Sequence, residues 1–188
     1  MTYTPHEGPP ETELQQTETG KRAAGPGWFV VNAREAPWER LEGGGQATLL
    51  EPKQHRFEQL GVNVHVLSPG EPSTKYHGES AQEGFLVISG ECTLLVEGAE
   101  RTLRAWDFFH CPAWTHHAIV GAGDGPCAIV MIGHRPDEEI DYPADPAAAS
   151  YGAAADPPTN SGREAYADWP ESAEVAYQEG WLPQVNRG

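Results

Sequence analysis

Residues 75–91 read KYHGESAQEGFLVISGE. His77 and Glu79 are two apart, so on an extended strand their side chains share one face. Ser80, Ala81 and Gln82 suit a tight turn, and Glu83 then opens the apolar run Gly84–Ser89, which stops at Gly90. Two antiparallel strands joined at that turn bring His77, Glu79 and Glu83 to one inner surface. An imidazole beside carboxylates at one point is a donor set for a divalent metal.

Working outward, short β-branched or aromatic runs recur from about residue 45 to 136: QATLLE, FEQLGVNVHVLS, GFLVIS, CTLLVEG, DFFHCP, HAIVGA and PCAIVMIG. SPGEPS, SGE, EGAE and GAGDG punctuate them as turns. Many short strands with no helical period between them predict an all-β, antiparallel sandwich or barrel with a single core.

The flanks read differently. Residues 1–44 form an N-terminal arm, mostly disordered over 1–27, with a short strand expected at 27–31 (GWFVV). Residues 137–188 form an acidic, Ala/Pro-rich tail with room for a helical turn among the alanines and a short helix over 171–179. Tyr166, Trp169, Tyr177 and Trp181 are costly to leave in water, so the tail is expected to pack on the core or on a neighbouring subunit.

A second polar cluster lies in WDFFHCPAWTHHAIVG, residues 106–121. His117 opens a strand whose alternation puts Ile119 on the same face and His116 on the other. With both clusters in view, the chain resembles the cupin superfamily. The first cupin motif, G-x5-H-x-H-x3-4-E-x6-G, appears as His77-x-Glu79-x3-Glu83-x6-Gly90, with Gly70 one residue farther from the histidine than the pattern asks. The second, G-x5-P-x-G-x2-H-x3-N, keeps Pro112 and His117 in register. Its first glycine is read at Ala105, beside Asp107. Trp114 stands at its second glycine and Gly121 at its asparagine.

The resemblance covers about half of the chain and implies a single cupin-type jelly-roll β-barrel over 45–136. It also implies metal ligands at His77, Glu83 and His117, holding a divalent transition metal such as Zn, Fe, Mn or Ni. Glu79 occupies the place of the usual second histidine, and so is read either as a fourth, harder ligand or as a catalytic base. One of His110 and Cys111 faces inward, and alternation across Pro112 does not choose between them. His65 and His134 are further pocket candidates. Cys92 and Cys127 read as small buried apolar residues.

Composition narrows the partners. With 12 Lys and Arg against 28 Asp and Glu, the net charge is −16. That charge disfavours nucleic acid and anionic membrane surfaces. No run of about 18 apolar residues is present, and three irregularly spaced cysteines suggest reduced thiols and a cytoplasmic location. The expected partner is a small-molecule ligand or substrate, and barrels of this type suggest a homodimer. Two functions follow: a metal-dependent enzyme of oxygenase, isomerase or decarboxylase type, or a non-catalytic small-molecule-binding or structural cupin dimer.

Overall fold

A computed structural model of the chain describes residues 6–135 and 139–184. The first five residues of the arm, the boundary at 136–138 and the last four residues of the tail lie outside them. The fold is all-β and cupin-like.

In chain order the strands are β1 (Leu14–Gln16), β2 (Lys21–Ala23), β3 (Pro37–Leu41), β4 (Gly45–Thr48), β5 (Leu60–Leu67), β6 (Gly78–Glu79) and β7 (Glu83–Ser89). There follow β8 (Glu91–Val96), β9 (Ala99–Arg104), β10 (Phe108–Cys111), β11 (His117–Ala122), β12 (Cys127–His134), β13 (Ile140–Asp141) and β14 (Ala173–Ala176). Two short helices, α1 (Pro146–Ser150) and α2 (Gly162–Ala165), sit in the tail.

A seven-stranded sheet runs β10-β7-β12-β5-β4-β3-β14, and a three-stranded sheet runs β11-β8-β9. All their pairings are antiparallel. They are two separate sheets, so the expected barrel is not closed. The core between them gathers Leu67, Phe85, Val87, Leu94, Ile119 and Ile129. Each of these side chains contributes roughly 1.5–3 kcal/mol by burial. Alternation fixes the faces: on β7, Phe85 and Val87 point into this core, and on β11 so does Ile119.

Two glycines are required by space and conformation. Gly90, at φ 74°, turns β7 into β8, and a Cβ there would lie 2.6 Å from the Pro126 carbonyl oxygen. At Gly121 a Cβ would lie 2.1 Å from the Ser68 carbonyl oxygen. That crowding accounts for glycine at the position where the cupin motif has asparagine.

The flanks depart from expectation. Within the arm read as disordered, β1 and β2 form a hairpin whose turn is closed by Thr17 Oγ1 donating to the Gly20 carbonyl. The strand expected at 27–31 is reduced to one bridge, Trp28 with Glu11. In place of the helix expected over 171–179 the chain forms β14, paired with β3. The physical reason is the open edge of β3 together with the alternation of AEVA. Val175 packs into the cluster around the fully buried Trp38, while Glu174 reaches Arg22 and Lys53. Tertiary pairing of this kind overrides a weak helical preference. The helices form instead where caps exist: Asp145 accepts from the Ala148 N–H ahead of Pro146, and Ser161 caps α2 through the Glu164 N–H.

The tail does pack on the sheets. Ala148 and Ala153 sit with Tyr76, Leu95, Ala118 and Val120 on the back of the small sheet. Tyr177 and Trp181 cover Trp38 on the back of the large one. Among the described residues no helix is long and apolar enough to cross a membrane.

Candidate metal centre

The two sequence clusters meet through a backbone bridge. His77 and His117 are antiparallel partners: the His77 N–H donates to the His117 carbonyl at 3.1 Å, and the His117 N–H returns the bond at 2.8 Å. Their rings lie side by side, with centroids 4.9 Å apart. Glu83 enters from β7, its Oε2 3.4 Å from His117 Nε2. One ligand atom from each of His77, Glu83 and His117 lies within 4.8 Å of the others, so the three fit a shared ion.

Each imidazole is oriented by the carbonyl two residues before it. His77 Nδ1 donates to the Lys75 oxygen at 2.7 Å, and His117 Nδ1 to the Thr115 oxygen at 3.0 Å. This fixes the tautomer that leaves Nε2 as the lone-pair nitrogen, as a metal-ligating histidine needs. Burial then keeps both rings neutral. His117 is pushed down to about 4, chiefly by burial and further by the neighbouring His77, and burial likewise lowers His77. Neutral rings at neutral pH are the ligand form.

Glu79 lines the same cavity, of about 260 Å³, but does not belong to the three-residue set. Its backbone carbonyl receives the Trp114 N–H at 2.7 Å, and β6 pairs with β13 of the tail. Cys111 is the buried member of its pair and His110 the exposed one. The Cys111 thiol lies 3.5 Å from His117 Nδ1, and burial with the Glu83 carboxylate pushes it up to about 12, so it stays a neutral thiol. His65 and His134 both line the cavity, while His116 turns away to Asp141 at 3.0 Å. Cys92 and Cys127 are free, buried thiols.

The second motif needs one correction. The residue in the left-handed conformation is Trp106, at φ 76°, and not its neighbour Ala105. Five residues separate Trp106 from Pro112, as the motif asks. Trp114 also adopts a positive φ, 64°. Tryptophans therefore stand at both glycine positions of that motif, in backbone that normally favours glycine.

Lys75 went unread in the sequence. Its side chain is 1% exposed, and its Nζ donates to the Gly152 and Ala154 carbonyls and to Asp168 Oδ2 at 2.9 Å. Its backbone N–H donates to the Tyr166 hydroxyl. The residue whose carbonyl orients His77 thus also fastens the tail to the site. Nothing in the local sequence marks a lysine for burial, because all its partners lie about eighty to ninety residues onward.

Known proteins resemble this chain over part of its length. The family described as "Cupin domain" matches residues 63–133. A 5-nitrosalicylic acid 1,2-dioxygenase from Bradyrhizobium sp. is 29% identical over 73 residues, which are 39% of this chain and 35% of the relative. The chain thus spans about a third of the length of that relative. The polyketide cyclase RemF from Streptomyces resistomycificus has a similar structure, with a TM-score of 0.53 and 15% identity, over 68% of this chain and 98% of that one. A cupin-superfamily sugar phosphate isomerase from Silicibacter pomeroyi gives a TM-score of 0.46 at 25% identity, over 54% of this chain and 66% of that one. With the family matched over residues 63–133, which hold His77, Glu83 and His117, and an all-β cupin-like fold around them, this chain carries a cupin domain.

Proposed function

We propose that this chain is a metal-dependent cupin enzyme acting on a small organic molecule, with His77, Glu83 and His117 as ligands of a divalent transition metal (Zn, Fe, Mn or Ni). The observation that carries the reading is the convergence of the three donors within 4.8 Å, both imidazoles held in the tautomer that leaves Nε2 available. Two histidines and one carboxylate are a donor set that would suit non-haem iron. When bound, such an ion supplies Lewis acidity toward a carbonyl or carboxylate or, if it is iron, a centre for oxygen chemistry.

The protein's own share is positioning and proton transfer. Lys75 and Thr115 hold the imidazoles, and buried apolar neighbours such as Phe85 keep water from them. Glu79, in the same cavity but outside the three-residue set, is assigned the role of general base. The dioxygenase named above supports an oxygen-dependent reaction over the shared region. A homodimer in the cytoplasm completes the reading.

The test is elemental analysis of protein purified without added metal, repeated on His77→Ala and Glu83→Ala. About one ion per chain, lost in both variants, is expected. Protein that stays metal-free when offered Fe, Mn, Ni or Zn would overturn the proposal. Oxygen uptake by loaded protein with candidate substrates then tests the oxygenase branch.

A further inference from the structure

A second cavity, of about 270 Å³, adjoins the candidate metal centre, and His65 and Ser73 line both. One wall is the strand layer at Leu41, Gly44 and Ala47. The other is the tail, through Tyr166 and Trp169. The two aromatic rings meet edge to face with centroids 5.1 Å apart. The gap between the walls is narrow at its end: a Cβ on Gly44 would lie 2.4 Å from Leu41 Cδ2 and 3.0 Å from Trp169 Cζ3.

This wall is suited to a flat apolar ring. A dry cavity of about 150 Å³ is enough to hold benzene, and indole and phenol faces favour a ring packed offset or edge-on. Three of the polar groups around the chamber are already engaged within the protein. Gln46 Nε2 donates to the Val66 carbonyl, Ser172 Oγ to Glu39, and Trp169 Nε1 to the Gly152 carbonyl. A ligand rich in hydroxyls would leave them poorly matched. The adjoining metal cavity is the polar half, with Asn63, Thr74, Glu79, Arg56 and Arg135 on its wall. His65, at the junction, is pushed down to about 4 by burial and so adds no charge there.

We infer that the chamber between Ala47 and Trp169 binds the ring of an aromatic substrate whose polar head lies beside His77, Glu83 and His117, and that Tyr166 and Trp169 set the ring specificity. The position of the head rests on the proposed function, whereas the ring pocket stands on its own walls. The C-terminal tail, in this assignment, is part of the binding site.

Two probes share a hydroxy-acid head and differ in the ring: 2-hydroxybenzoate and lactate. Calorimetric titration of the full chain is expected to show at least tenfold tighter binding of 2-hydroxybenzoate. Ala47→Phe places a ring in the chamber directly across from His65. It is expected to abolish the preference while the metal content, measured on the same sample, stays unchanged. Trp169→Leu, at a half-buried position, is expected to cut the preference at least threefold and serves where Ala47→Phe does not fold. Equal affinity for the two probes, binding of neither, or a preference that survives the substitutions would overturn the inference. Metal-free protein that still prefers the ringed probe would sink the metal reading and leave the ring pocket standing.

Discussion

His77 and His117 face each other across a reciprocal backbone bridge, and each ring is turned by the carbonyl two residues before it. The two segments therefore present their imidazoles by the same local device, although the histidines lie 40 positions apart in sequence. Backbone pairing and burial preorganise the two rings.

That preorganisation predicts the acid response of metal binding. An ordinary histidine protonates near 6.5, but His117 holds out to about 4 and His77 is lowered as well. Protonation therefore competes with the ion only at lower pH than it would for an ordinary histidine. Metal affinity is expected to stay nearly level from pH 8 through 6.5 and to fall as pH approaches 4. A chelator-competition titration across that range checks it, and a midpoint at 6.5 would contradict it.

Lys75→Met tests the fastening of the tail. Methionine keeps most of the apolar stem but removes the donor from the Gly152 and Ala154 carbonyls and from Asp168. A loss of about 1–3 kcal/mol is expected, the cost of leaving buried acceptors without a donor. Urea unfolding gives the magnitude, and faster proteolysis between 152 and 170 than in the two sheets locates it.

At Trp114 the backbone sits at φ 64°, where a side chain costs about 1–2 kcal/mol relative to glycine. The Trp114 side chain is 45% exposed, so its removal forfeits little packing. Trp114→Gly is expected to be more stable than Trp114→Ala by about 1 kcal/mol, read from thermal unfolding of the two variants. The reverse order would show that the turn does not need the left-handed conformation.

Glu174 ties β14 to the N-terminal hairpin. Thr19 Oγ1 donates to it at 2.5 Å, Lys53 Nζ lies at 2.9 Å and Arg22 at 3.1 Å. The Thr19 and Lys53 hydrogen bonds hold its carboxyl down to about 2, from an ordinary 4.5. Because the folded value is the lower one, this contribution is complete above about 4.5 and is lost as pH falls toward 2. Glu174→Gln is expected to flatten the pH dependence of stability in that window alone, as measured by denaturant midpoints at successive pH values.

Much of the site was legible because it obeys period two. His77 and Glu83 around one turn, and His117 in phase with Ile119, need only alternation and a tight reversal to converge. Glu79 shares that phase and lines the same cavity, yet it is not among the three residues whose donor atoms gather within 4.8 Å, a convergence that alternation does not encode. The helix expected at 171–179 failed for a different reason. A short segment such as AEVA takes its state from what lies beside it, and here an open strand edge lies beside it. The chamber was illegible for the same cause, since its two walls come from residues more than a hundred positions apart.

The buried ammonium of Lys75 also has a consequence in time. Asp168 follows it by 93 residues. At about 5–20 residues per second of synthesis, roughly 5 to 20 seconds pass between the two leaving the ribosome's catalytic centre. The strands of the cupin domain are complete at His134, 34 residues before Asp168, so for about 2 to 7 seconds of synthesis all of them exist while Lys75 still lacks its tail partners. The histidine cluster is therefore the older part of each newborn molecule, and the chamber beside it is closed last, from the far end of the chain.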